Sequence, residues 1–201
     1  MGLATFRGGV HPFEGKELSE SKPVQVLMPK GDMVYPMSQH IGAPATPLVK
    51  KGDQVLVGQK IGEASGFISA NVICSVSGTV KAVEMRRVAS GAMVNSIVVT
   101  NDGEYNTVEG LGADRDPSTL SKQDIRTIVK EAGIVGLGGA GFPTNVKLSP
   151  KDENAIDYIL LNGAECEPYL TSDYRLMMEA PEQVIGGLKV VLQLFEKAKG
   201  V

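Results

Sequence analysis

The run Gly133-Ile-Val-Gly-Leu-Gly-Gly-Ala-Gly-Phe-Pro-Thr144 concentrates the residues best suited to hold a ligand. Gly138, Gly139 and Gly141 place three glycines within four positions, with Gly136 just ahead and Ala140 between. Without side chains, successive backbone N–H groups can converge where any Cβ would obstruct an incoming group, which is the chemistry of an anion cradle. Phe142 supplies a planar apolar wall, and Lys147 supplies a point charge that can reach over a phosphate. The spacing departs from the dinucleotide fingerprint because Pro143 intervenes before any helix, and it lacks the Gly-Lys-Ser/Thr ending of a P-loop. On the residues alone, a cofactor cradle and a tight structural turn both account for it.

A second candidate follows in Leu161-Asn-Gly-Ala-Glu-Cys-Glu-Pro168. Asn162 at a strand end can donate and accept, as the edge of a heteroaromatic ring requires, and Glu165 or Glu167 can accept from ribose hydroxyls or a carboxamide. The alternative is loop carboxylates that face water. Cys166 lies between two carboxylates, which disfavour the thiolate, and no histidine is near it in sequence to activate it. His11 and His40 lie far upstream without metal-ligand spacing and read as surface or packing residues. Asp173 and Arg175 are spaced for a local ion pair that would fix the loop. No side chain is assigned a catalytic or metal-binding role.

The elements that must position these residues fall into two kinds. Val24–Met28, Gln54–Val57, Val72–Val76, Gly78–Val83 and Ser96–Thr100 are short apolar or β-branched runs bounded by turn residues, which predicts an all-β module. Pro47–Ile61 carries the turn Lys51-Gly52-Asp53, and Ser75–Lys81 forms a second turn-bearing hairpin. Residues 101–121 are rich in Asn, Asp, Gly, Glu and Pro, placing a boundary near residue 110 between a unit of residues 1–110 and one of residues 111–201. Beyond it the period changes. Ser121 and Asp124 form an approximate capping box ahead of Ile125, Ile128, Val129 and Ala132, predicting a helix over 122–132 that ends at Gly133. Asp157–Asn162 reads as a buried strand, and 177–198 as a helical pattern restarted near Pro181 and interrupted at Gly186-Gly187, with nothing after the helix end. Helix, loop, strand, loop, helix is the first part of an α/β layer domain, as in an amino-terminal piece of a longer polypeptide.

Composition narrows the class further. The chain has 201 residues, a formal net charge of −3 and 42% hydrophobic residues, which suits a globular protein and gives no electrostatic basis for a nucleic-acid partner. No run approaches the roughly 20 apolar residues of a membrane span. Two cysteines cannot supply a four-thiolate cluster site, so no iron–sulfur centre is expected within residues 1–201.

Residues 40–100 resemble the barrel-sandwich hybrid of biotinyl and lipoyl carrier domains, in which two hammerheads pack face to face. Those carriers present a lysine at a hairpin tip. The corresponding Gly66-Phe-Ile-Ser-Ala-Asn71 contains none, so a scaffold or docking role is expected in place of covalent attachment.

Gly138–Thr144 with Lys147, followed by Asn162–Pro168, is similar to the flavin-binding core of the complex I flavoprotein subunit and of the RnfC family. Phe6–Pro12, Gln39–Ala43, Gly58–Gly62, Ser75–Gly78, Gly133–Leu137 and Glu165–Thr171 make the resemblance closest to RnfC. It implies an all-β barrel-sandwich hybrid followed by the first part of an α/β FMN- and NADH-binding domain. It further implies a peripheral subunit on the cytoplasmic face of the membrane, in a complex that couples electron transfer between NADH and ferredoxin to ion translocation. The cofactors implied are FMN and NAD(H), with 4Fe-4S clusters only beyond residue 201, and the partners are the other Rnf subunits. The resemblance places Gly136, Gly138, Gly139, Ala140, Gly141, Phe142 and Lys147 along the FMN ribityl phosphate and ring. It places Asn162, Glu165 and Glu167 at the flavin and its nicotinamide-facing side. Leu137 stands where the complex I pattern has arginine and Ala164 where it has aspartate. A related cobalamin reductase and a non-catalytic subunit-docking module are the alternatives.

Overall fold

The computed structural model describes Val10, Pro12 to Leu137 and Ala140 to Val201; Gly138 and Gly139 of the glycine run, together with His11 and residues 1–9, lie outside the described residues. The amino-terminal half is a β module of two curled sheets. Strands β1 (Asp32–Pro36), β3 (Gln54–Val55), β6 (Gly78–Arg87) and β7 (Met93–Asn101) form one sheet in the order β1-β7-β6-β3. Strands β2 (Thr46–Pro47), β4 (Lys60–Glu63) and β5 (Val72–Ile73) form the other, in the order β2-β4-β5. All pairings within these two sheets are antiparallel.

The long β6–β7 hairpin turns at Gly91, whose φ of +85° suits a residue without Cβ, and its register slips between Val80 and Ala82. Such a bulge bends a strand and curls its sheet, here toward a core of Met37, Val55, Ile61, Cys74, Val76, Val80, Ile97 and Val99. The Lys51–Asp53 turn expected from the sequence and a second turn at Val57–Gln59 tie the halves together reciprocally. Gly52 N–H donates to Val80 O and Val80 N–H to Asp53 O, both at 2.8 Å, while Gly58 N–H donates to Cys74 O and Cys74 N–H to Gln59 O, also at 2.8 Å. This is the face-to-face arrangement expected of a barrel-sandwich hybrid.

One expected strand is absent from the sheets. Val24–Met28 makes no ladder, and Val26 and Leu27 are 87% and 90% exposed. It is apolar enough for a strand, but the place beside β7 is taken by β1, and Val24 N–H is bonded instead to the Glu179 carboxylate. The edge position belongs instead to Asp32–Pro36, which was not expected as a strand.

In the second half, helix α1 (Lys122–Glu131) begins at a complete capping box between Ser121 and Asp124. The Ser121 hydroxyl and backbone N–H both donate to the Asp124 carboxylate, and these bonds hold its pKa below the ordinary aspartate value. Ile125 packs with Leu148, Leu194 and Phe195 in a second core. After the short helix α2 (Thr144–Lys147), strand β8 (Tyr158–Ile159) leads through helices α3 (Ser172–Glu179) and α4 (Pro181–Leu192) to strand β9 (Lys199–Gly200).

Three details differ from expectation. Helix α4 runs unbroken through Gly186 and Gly187: each glycine costs about 1 kcal/mol of helix propensity, and packing of Val190 and Val191 against the second core outweighs it. The 157–162 strand is shorter than its apolar run, with Leu160 71% exposed. The chain after α4 also returns as β9, parallel to β8, through Lys199 N–H to Asp157 O and Leu161 N–H to Val201 O. Gly200 runs close under α4, where a Cβ would lie 2.9 Å from the Cδ atoms of both Leu188 and Leu192.

The two halves meet where α1 ends. Lys60 pairs with Glu131 at 2.9 Å, and Asn71 Nδ2 donates to Lys130 O. Gly133, at φ +64°, stops the helix so close to β5 that a Cβ would lie 2.4 Å from Asn71 O. Gly133→Ala is therefore expected to destabilise the chain by about 1–3 kcal/mol, combining left-handed strain with a backbone clash. Urea denaturation checks this, and a midpoint unchanged from the parent would show that the junction is not built this tightly.

Candidate functional site

The described residues on either side of Gly138 and Gly139 are tied together. Val135 and Pro143 form an antiparallel bridge at the neck, Gly136 N–H donates to Phe142 O at 3.0 Å, and Thr144 N–H donates to Ile134 O at 3.0 Å. Phe142 N–H turns back to Ala140 O at 2.9 Å. Gly136 is required by close approach, since a Cβ there would lie 2.3 Å from Ala140 O. On the outer side Gly141 O accepts from Ile41 N–H at 2.9 Å, so the β module buttresses the loop. His40 fixes that buttress: its Nε2 lies 3.0 Å from Ala43 O, 3.1 Å from Ala70 N and 3.3 Å from Ser69 Oγ. It is a packing histidine, as the sequence suggested.

Lys147 ends α2 with its side chain exposed, and it joins none of the ion pairs among the described residues. Together with Thr144 it lines an apolar cleft of about 760 Å³, whose other walls include Leu160 and Leu161 at the end of β8 and Leu176 and Leu188 from α3 and α4. That volume lies within the range of small-molecule sites. Among the described residues, Lys147 is the only charged one in the lining. The segments following the glycine loop and preceding Asn162 thus flank one cleft.

The strand-end motif is ordered by its own polar groups. Asn162 Oδ1 accepts from Ala164 N–H at 3.0 Å, an Asx turn that redirects the chain out of β8. Glu165 Oε1 accepts from Asp173 N–H at 2.8 Å and Tyr174 N–H at 3.1 Å, satisfying unpaired donors at the start of α3, where Thr171 provides no side-chain cap. Glu167 and Cys166 are exposed. The expected Asp173–Arg175 pair does not form. Arg175 turns one helical turn ahead to Glu179, with Nε donating at 2.8 Å, because residues four apart share a helix face and residues two apart do not. Arg175, and then Val24 N–H, hold the Glu179 carboxyl below its ordinary pKa.

Of the predicted residues, Gly136, Ala140, Gly141 and Phe142 build the loop neck, Lys147 lines the cleft, and Asn162 and Glu165 shape the strand exit. Among the described residues Glu167 has no hydrogen-bond partner beyond the Cys166 thiol at 3.9 Å, and Gly138 and Gly139 lie outside the described residues. Sequence reasoning missed the support from Lys16, Ser19 and Glu20, which reach residues 169–175 across about 150 positions of chain with no local signal. Among the described residues, no group of three or more His, Cys, Asp and Glu is arranged to hold a metal, and no helix is long and apolar enough to cross a membrane.

Residues 4–104 match the RnfC barrel sandwich hybrid domain, and residues 129–201 match the Nuo51 FMN-binding domain. The chain is 41% identical over 197 residues to a subunit of the proton-translocating ferredoxin:NAD(+) oxidoreductase complex of Clostridium ljungdahlii, covering 98% of this chain and 43% of that protein. It is 46% identical over 205 residues to the counterpart from the Na(+)-translocating complex of Acetobacterium woodii, covering 98% and 44%. Against a subunit of the ion-translocating oxidoreductase complex of Rhodobacter capsulatus it is 40% identical over 189 residues, covering 93% and 36%. The chain spans less than half the length of these curated relatives.

The capping role of Glu165 is separable from any ligand contact. Glu165→Ala is expected to cost about 1 kcal/mol by exposing two α3 donors, and Glu165→Gln, which keeps an acceptor oxygen, less. Equal denaturation midpoints for Glu165→Ala and the parent chain would refute the cap.

Proposed function

The chain belongs to the RnfC family, and from that premise we propose that it supplies the first part of an FMN site in a subunit that moves electrons between NADH and ferredoxin in an ion-translocating complex. The observation that carries this reading is the cleft in which Lys147 is the only charged lining among the described residues, with Thr144 and Lys147, just after the glycine run, on one side and Leu160 and Leu161, at the end of β8, on the other. An apolar slot with one unpaired cation suits a planar ring that carries a phosphate tail.

When bound, FMN supplies the ring atom that exchanges a hydride with a nicotinamide. The chain's own residues bind and orient. The bonded loop neck fixes where α2 starts, and Lys147 at the end of α2 offsets phosphate charge. Asn162, whose Oδ1 is engaged by Ala164 N–H, keeps its amide donors for a ring edge. Glu167, exposed at the turn, is the carboxylate available on the nicotinamide side, while Glu165 holds α3 in place. No protein nucleophile is needed, since rigid apposition of two rings is the main requirement. The other Rnf subunits are the partners, and peripheral attachment at the cytoplasmic face of the membrane is the location this role requires.

Titrating FMN into the full-length subunit while following flavin fluorescence tests the reading. Saturable uptake is expected, followed by anaerobic bleaching of the flavin band on addition of NADH. Lys147→Ala is expected to weaken FMN at least tenfold with an unchanged melting temperature, because its side chain is exposed and unpaired. Absence of flavin uptake by the full-length subunit would overturn the proposal in favour of a subunit-docking role.

A further inference from the structure

We infer that residues 13–24 form a positioning strap for the Glu165–Thr171 turn and helix α3, so that the amino-terminal segment is a working part of the site formed by the other end of the chain. This rests on the reading that the turn borders a flavin.

The strap is bonded along its whole length. Tyr169 N–H donates to Glu14 O at 2.6 Å, Lys16 Nζ donates to Leu170 O at 2.8 Å, and Ser19 Oγ lies 2.8 Å from Thr171 Oγ1. Further on, Arg175 Nη1 donates to Glu20 O at 3.0 Å, and Val24 N–H donates to the Glu179 carboxylate at 3.0 Å. Each bond joins residues about 150 positions apart, so the closure entropy is met once and shared by all five. Two of the partners, Tyr169 N–H and Leu170 O, are backbone groups in an irregular segment, where neither helix nor sheet would satisfy them.

Conformation points the same way. Tyr169 holds φ +68°, uncommon for an aromatic residue, and its ring lies edge-on to Phe13 with centroids 6.2 Å apart. Gly15, itself at φ +62°, is buried against that ring, and a Cβ there would lie 2.3 Å from two ring carbons. A strained residue persists where its surroundings over-determine it, and here those surroundings are the strap. Glu165 and Glu167 sit just ahead of the clamped positions. The strap touches no reacting atom; Gly15 and Lys16 are positioning residues.

Amide hydrogen exchange and FMN titration of the full-length subunit test this together. In Gly15→Val and in Lys16→Ala, exchange across residues 165–175 is expected to rise at least tenfold while β6 and β7 keep parental rates. FMN Kd is expected to rise at least fivefold in Lys16→Ala and to return within twofold of the parent in Lys16→Arg, which restores a donor to Leu170 O. Lys16→Ala truncates one side chain beyond Cβ and leaves the Gly15 backbone and the Tyr169 ring unstrained, so it keeps the test open if Gly15→Val fails to fold. Parental exchange at 165–175 in Lys16→Ala would overturn the strap. Raised exchange with an unchanged Kd would overturn its positioning role. Failure of the parent protein to take up FMN would sink the flavin reading alone, leaving the exchange result to decide the strap.

Discussion

Irregular backbone that cannot satisfy itself is the constraint on which the rest of this structure depends. Among the described residues, Gly136, Leu137, Ala140 to Phe142 and the stretch 162–171 lie outside helix and sheet, and such backbone leaves N–H and C=O groups that helix or sheet would pair. The fold answers with partners drawn from far along the chain. Gly141 O is held by Ile41 of the β module, and Tyr169, Leu170 and Thr171 are held by Glu14, Lys16 and Ser19. Preorganisation of this kind lets loops carry a site at defined geometry while the scaffold stays rigid.

The β module therefore has a second role besides being a folded barrel. Its hammerhead core is closed by reciprocal bonds at the Lys51–Asp53 and Val57–Gln59 turns, and that closed body presents Gln39–Ile41 to the glycine loop. It also receives the end of α1 at Asn71, where Gly133 allows the backbones to meet. The tip at Gly66–Asn71 carries no lysine, so the architecture of a carrier domain is used here to support a neighbouring loop.

Much of this was legible in the sequence wherever the signal was local. The Ser121–Asp124 cap, the stop at Gly133 and the Lys51–Asp53 turn are each written within a few residues, whereas the hairpin expected at Ser75–Lys81 does not form, because β5 and β6 belong to different sheets. Strand membership was less legible, because whether Val24–Met28 or Asp32–Pro36 joins β7 depends on which free edge exists and not on β propensity. Helix continuity through Gly186-Gly187 was set by tertiary packing against the second core, which overrides intrinsic preference. The β9 return and the strap were invisible for a related reason: two-residue ladders and single side-chain-to-carbonyl bonds leave no periodicity. At the candidate site, residue types indicated what could bind, whereas the capping duty of Glu165 appeared only once α3 was in place.

The central claim is that the glycine loop and the β8 exit flank one ligand cleft. Amide chemical-shift mapping of the isotopically labelled chain during titration with FMN tests it most directly. The account predicts shifts concentrated in residues 136–147 and 160–167, with β6 and β7 unmoved. Shifts confined to the β module, or saturating binding that leaves both segments unperturbed, would contradict it.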